Sequence, residues 1–281
     1  MKQSFVGGQA VLDGVLMVFE DEYSVAVQTP TGIQTTKNST WLLRSKLLKI
    51  PFLRGPIAFL IMAYLGLSSM LIASKQASTQ EDDLSWTTLI LTATITLAFI
   101  AVLILVLPLF ITTLLVSENN PLLFNFLDGA VRIVVFLLYV ALIAQLPDIK
   151  KLFGYHGAEH QVIHAYEKGT LTLASARKQP LFLARCGTTF VVLVLLVAIL
   201  VYSLTPINLP FMQLLTLRVL MLIPIASLSY EFMRLSHTNK SSLLVQALLT
   251  PGYWVQRLTV RKPSDQQLRV ALAALKAVVK K

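Results

Sequence analysis

Apolar residues in this chain gather into long unbroken runs, not the one-sided stripes of a water-soluble core. Four of them, at 87–116, 122–146, 188–206 and 209–233, are long enough to cross a hydrocarbon layer as helices, which takes about 20 residues. A fifth run, 57–74, follows Arg54-Gly55-Pro56, has no charge, and contains Gly66 and Ser68-Ser69. Outside these runs the pattern changes. Residues 24–27 alternate, Pro30-Thr31-Gly32 is a turn signal, and 33–36 resumes strand-forming residues, so a hairpin is predicted. Before it, 6–17 mixes apolar residues with Gly7 and Gly8, whose missing Cβ permits close backbone approach. After the last run, 241–250 and 265–279 read as amphipathic helices. Pro251-Gly252 is expected to break the first, and Lys262-Pro263-Ser264-Asp265 supplies a start for the second.

Positive charge sets the expected topology. Arg44, Lys46, Lys49 and Arg54 precede the run at 57–74, and Lys150, Lys151, Lys168, Arg177, Lys178 and Arg185 fill 147–187. More follow Met233, whereas 117–121 holds only Glu118 and 205–209 holds no charge. Basic segments face the cytoplasm in membrane proteins. A crossing at 57–74 would put the basic 147–187 loop outside, so that run is expected to lie in the interface or re-enter. The pattern predicts a mainly α integral membrane protein with four transmembrane helices, one interfacial or re-entrant helix, a small N-terminal β element and cytoplasmic C-terminal helices. The expected organisation is a β-containing cytoplasmic region (1–50), the interfacial or re-entrant helix (51–86), a first transmembrane pair (87–146), a cytoplasmic loop (147–187), a second pair (188–234) and a cytoplasmic helical region (235–281). Both termini are expected inside.

Composition supports the membrane reading. Of 281 residues 55% are hydrophobic and 14% charged, against about 25% charged in soluble domains. The net charge of +10 lies beside apolar runs, which reads as orientation and not as nucleic-acid binding. The single Cys186 excludes an internal disulfide. No cleavable signal is apparent, because Gly7, Gly8 and Asp13 interrupt the N-terminal segment. There are no internal repeats of the kind that build solenoids or inverted-repeat transporters.

Three of the four histidines fall within Tyr155-His156-Gly157-Ala158-Glu159-His160-Gln161-Val162-Ile163-His164. The run contains H-x-x-E-H, the pattern of inverted zinc hydrolases. On a helix His156 and His160 share a face and can offer two imidazoles to one divalent ion. Glu159 stands beside the second histidine, suited to a general base. A third ligand is expected from Glu231, since a carboxylate near the cytoplasmic end of the last span needs an ion, a pair or hydrogen bonds. Each residue also has a plainer reading: a polar helix face for the histidines, and a pair with Arg234 for Glu231. His164 is read as solvent-facing, with a fourth ligand or a supporting group as the alternative, and Cys186 as a small packed residue, with ligand or reactive thiol as the alternative. Asp128 and Arg132, one turn apart, read as a neutralising pair, while Arg218 has no partner visible in the sequence.

The runs Gly7-Gly8-Gln9-Ala10-Val11, Tyr155-His156-Gly157-Ala158-Glu159-His160, Arg185-Cys186-Gly187-Thr188 and Pro251-Gly252-Tyr253-Trp254-Val255-Gln256-Arg257-Leu258-Thr259 occur in that order. Together they resemble the YqhQ-like family of bacterial multi-pass membrane proteins, a family of unknown function described as predicted metal-dependent enzymes. The resemblance spans nearly the whole chain and implies a bacterial membrane location and a metal, with no named substrate. This chain departs from the family pattern at Asp13 (usually Glu), Gln161 (usually Lys) and Leu183-Ala184 (usually His-Pro). If that histidine is a family ligand, this chain lacks it.

The expected function is a zinc-dependent, peptidase-like hydrolase at the cytoplasmic face of the bacterial inner membrane. His156, His160 and Glu231 would hold the ion, Glu159 would act as base, and Arg185 would stabilise an oxyanion. The expected partners are the lipid bilayer and a membrane-adjacent peptide or a lipid-linked ester or amide, with no nucleic acid. The alternative is a non-catalytic metal-binding assembly or interaction factor. Metal transport ranks last, because the runs at 87–116 and 188–206 carry no ionisable residue through the bilayer.

Overall fold

A computed structural model of the chain describes residues 6–77, 85–116, 120–238 and 242–279. Glu118, Lys240, Lys280 and Lys281 lie outside the described residues, as does the side chain of His237. The described chain is mostly helical, with one small antiparallel sheet ahead of the helices.

The sheet is a meander of β1 (Val6–Val11), β2 (Gly14–Phe19), β3 (Glu22–Thr29) and β4 (Gly32–Ser39), paired in that order. The expected hairpin is β3–β4, and Gly32, at φ 128°, takes the turn conformation that Pro30-Thr31-Gly32 signals. The segment 6–17, where apolar residues mix with Gly7 and Gly8, forms the further hairpin β1–β2, closed at Asp13 with φ 52°. Gly7 and Gly8 hid this strand, since glycine carries no strand-forming side chain. Both faces of the sheet are covered, so the strands carry apolar residues on both sides. Val15, Met17 and Ala26 face one layer, while Leu16, Val18, Val25 and Val27 face the other. A four-stranded sheet this small needs such partners for stability.

After two 3₁₀ turns, at Trp41–Arg44 and Lys46–Lys49, α1 (Arg54–Ala77) packs Ile61, Leu65 and Ala73 on one sheet face. Next comes α2 (Trp86–Ala101), joined through a π-helical stretch, Val102–Val106, to α3 (Leu107–Leu115). Pro108 lacks an N–H and its ring crowds the preceding turn, and the wider π turn absorbs that clash inside one continuous helix. The N-cap of α4 (Pro121–Ile143) is Asn120, whose side chain accepts from Leu123 N–H, with Pro121 pre-set at the first helical position. A short turn leads to α5 (Pro147–Glu167) and the one-turn α6 (Leu173–Ala176).

Then follow α7 (Gly187–Ser203), α8 (Phe211–Leu220), α9 (Leu222–Thr238), α10 (Leu243–Thr259) and α11 (Asp265–Val278). The start of α11 is the one its sequence signals: Ser264 and Gln267 form a capping box. By contrast α10 runs through Pro251, where a break was expected. Its packing explains this, since Gly252 lies against Thr189 of α7, so close that a Cβ there would come within 2.7 Å of Thr189 Cγ2. Burial along α7 outweighs the one helical hydrogen bond that proline removes.

On the second sheet face α5 and α11 form the main core with Tyr155, Ala158, Val162, Leu268, Leu272 and Leu275. Among the described residues, four helical segments are long and apolar enough to cross a membrane: Arg54–Gln76, Trp86–Leu115, Pro121–Ile143 and Phe211–Leu235. The number matches the expectation but the membership differs. The segment at Arg54–Gln76 qualifies by length, whereas the expected third span is the shorter helix Gly187–Ser203. It is bounded by Cys186 at its N-cap and by the non-helical stretch around Pro206.

Candidate metal centre

The histidine run lies in α5, whose apolar face is held by the sheet and α11 while His156 and His160 point toward the start of α7. Two glycines make this possible. A Cβ at Gly157 would stand 2.0 Å from the carbonyl oxygen of Arg261, so only glycine lets the chain after α10 cross α5 at that distance. The crossing brings the Thr259 carbonyl to His156 Nδ1 at 2.9 Å. At Gly8 of β1 a Cβ would stand 2.9 Å from Cγ of Glu159, so the bare strand makes room for that carboxylate.

The hydrogen bonds fix the ring states. The partner of His156 Nδ1 is the Thr259 carbonyl, and that of His160 Nδ1 is the Leu181 carbonyl at 2.6 Å. A carbonyl only accepts, so both rings donate from Nδ1, and Nε2 of each neutral ring is the acceptor: at His156 it accepts from the Cys186 thiol, and at His160 it is left bare. His156 Nε2 lies 3.2 Å from Cys186 Sγ. His160 is fully buried, and its Nε2 has no hydrogen-bond partner among the described residues. The two rings sit 4.5 Å apart, tilted by 66°. Ligand atoms of His156, His160 and Cys186 all lie within 4.8 Å of one another. Carbonyl acceptors on the far ring nitrogens are the supports that metal-binding histidines ordinarily carry.

Cys186 is positioned by a clamp. Gln256 of α10 accepts from Leu183 N–H at 3.0 Å and donates to Leu183 O at 2.8 Å and Thr189 Oγ1 at 2.7 Å. That grip holds 183–189 in place, and the thiol caps α7 by accepting from Thr188 N–H at 3.4 Å. Burial pushes the Glu159 carboxyl up to about 7, with the neighbouring His156 opposing it. The same desolvation lowers the pKa of His160.

Two expected site residues lie elsewhere. Glu231 is not in the cluster: its carboxylate accepts from Arg54 Nε at 2.8 Å and from Phe52 N–H at 3.0 Å, tying α9 to the start of α1. The structure does not bring Glu231 together with His156 and His160. Sequence depth placed Glu231 at a suitable level, but the facing of α9 turns it toward Arg54. Arg185 forms an ion pair with Glu167 at the end of α5. With His164, Leu183, Leu249 and Tyr253 that pair lines a cavity of about 240 Å³. His164 itself has Nε2 3.0 Å from the Phe182 carbonyl, outside the cluster. Cys186, Gln256 and Thr259 complete the arrangement, and the motifs around residues 185–188 and 251–259 were the signal for them.

Residues 50–281, which include this whole cluster, match the family described as "Protein of unknown function (DUF1385)". The chain belongs to that family. It is also similar to the uncharacterized protein YqhQ of Bacillus subtilis (strain 168), 27% identical over 298 positions that cover 98% of this chain and 92% of the relative. No solved structure matches the chain. Membership in this YqhQ-like family therefore names no reaction, and chemistry has to be argued from the residues.

Proposed function

We propose that the protein is a metal-dependent hydrolase of the bacterial inner membrane, with its centre on the cytoplasmic side. His156, His160 and Cys186 are its ligands. The observation that carries this reading is the bare Nε2 of His160, fully buried and converging with His156 Nε2 and Cys186 Sγ. An orphaned buried acceptor is costly unless something binds it. Two imidazoles and a thiol suit zinc, and three protein ligands leave a position open for water or substrate. When bound, the ion would supply Lewis acidity and make water nucleophilic near neutral pH. The chain's own groups do the rest. Glu159, with its carboxyl raised to about 7, takes a proton from the attacking water and returns it to the leaving group. The cavity beside Arg185 and Glu167 receives the polar end of a membrane-adjacent peptide or a lipid-linked ester or amide.

The topology in this reading keeps both termini inside and lays α1 in the interface. Supporting it, α1 covers the sheet with one face and exposes Phe59, Leu60 and Tyr64 on the other, as an interfacial helix does. The short α7 then completes four crossings from α2–α3, α4, α7 and α8–α9.

A non-catalytic metal-binding factor is the second reading, favoured by the way the two rings tie α5 to residues 181 and 259. Metal analysis of the purified chain, with Cys186→Ala and Glu159→Gln alongside, separates the two. Hydrolysis predicts stoichiometric zinc in the wild type, little in Cys186→Ala, and zinc without turnover in Glu159→Gln. Wild-type chain purified without chelators and free of bound metal would refute both readings.

A further inference from the structure

A second polar cluster lies inside the helical bundle, away from the metal centre. Asp128 and Arg132 of α4 and Arg218 of α8 are all buried, at 0%, 2% and 1% exposure. Arg132 Nη2 donates to both Asp128 oxygens, at 2.9 and 3.2 Å. Arg218 Nη1 lies 3.2 Å from the same carboxylate, and its Nη2 donates to Asn125 Oδ1 at 2.6 Å. Tyr202 of α7 stands under both guanidinium groups, 4.1 Å from that of Arg218 and 5.0 Å from that of Arg132. Its hydroxyl donates to Arg218 O at 3.0 Å.

The charges do not cancel. Two guanidinium groups share one carboxylate, and no other acidic side chain joins them among the described residues. Hydrogen-bond donors are also in excess. Arg132 Nε, Arg218 Nε and Asn125 Nδ2 are buried without a hydrogen-bond partner among the described residues. Asp128 and Arg132 lie two and three turns into α4, roughly 10 and 16 Å along its axis. At that depth an uncompensated cation is strongly unfavourable, and ionisable residues there are by default functional. A water could take up a donor, but it would leave the charge.

We infer that this cluster is an oxyanion site for a phosphate group, entering from the leaflet opposite the metal centre. The guanidinium fork matches phosphate oxygens in geometry and charge. Phosphate is also the anion that the surrounding bilayer carries in its headgroups. Asp128 holds the two arginines in register and removes one charge, so a single anionic phosphate brings the site to neutrality.

The test uses the full chain in a maltoside detergent, which carries no phosphate, with phosphatidylglycerol added in one arm and inorganic phosphate in another. The readouts are the unfolding temperature and the lipid retained in native mass spectrometry. A ligand that binds only the folded state raises the unfolding temperature with its concentration. Phosphatidylglycerol should raise it in the wild type. Arg218→Leu and Arg132→Leu each leave a neutral pair with Asp128, and either should lose most of that rise and the retained lipid. Asp128→Asn should enlarge the rise. A comparable rise with inorganic phosphate, lost in the same variants, identifies a soluble phosphate as the source. An undiminished rise in both leucine variants would assign the effect to the basic cytoplasmic surface and overturn the site. So would a Glu118→Gln variant that behaves like Asp128→Asn, since Glu118 would then be the missing counter-charge.

Discussion

The chain builds two polar clusters in opposite senses. In α5, two imidazoles donate from Nδ1 to carbonyls; Nε2 of His156 accepts from a thiol, and that of His160, close by, has no partner among the described residues. Between α4, α7 and α8, guanidinium and amide N–H groups converge instead, on too few acceptors. In the readings proposed above, the first arrangement would take a cation and the second an anion. Both rest on the same rule, that a buried polar atom needs a partner. The sign of what is missing follows from whether lone pairs or N–H groups are in excess. Their supports differ too. The histidine–cysteine cluster is held by backbone carbonyls and a glutamine clamp from distant segments, whereas the bundle cluster is held mainly by side chains facing one another.

The sharpest break in this comparison should come from His160→Ala, with bound zinc falling to background in elemental analysis while the bundle cluster is untouched. Glu159→Gln should follow, with metal content unchanged and turnover on ester or peptide substrates reduced about 10²- to 10⁴-fold. Loss of zinc in that variant would instead make Glu159 part of the metal-holding set. Asp128→Leu removes the shared acceptor and leaves two unpaired cations. It should cost about 3–5 kcal/mol in unfolding experiments, with zinc affinity retained in the folded fraction. Gly157→Ala pushes a methyl into the Arg261 carbonyl, which stands 2.0 Å from the new Cβ position. An overpacking cost of about 1–3 kcal/mol is expected, together with weaker zinc binding as Thr259 is displaced from His156. The smallest effect should be that of Tyr202→Phe, which removes one hydroxyl contact and keeps the ring, at about 0.5–1.5 kcal/mol. A larger loss would mean that the hydroxyl, not the ring face, holds Arg218.

The sequence by itself determined the membrane class, the hairpin at β3–β4, the capping-box start of α11 and the pairing of His156 with His160. These follow from local rules: apolar run length, turn residues, and the 3.6-residue period that puts positions one turn apart on one face. Tertiary structure decided the rest. The glycine pair became part of a strand because β2 pairs with it and Glu159 packs closely on Gly8, and α10 passed through Pro251 because α7 covers Gly252. Glu231 had the right depth for a ligand, yet the rotation of α9 gave it to Arg54, a residue 177 positions away. Cys186 lies beside the two histidines because Gln256 holds the start of α7 against α5. Long-range facing of this kind depends on how helices rotate as they pack, and no spacing within a single helix encodes that.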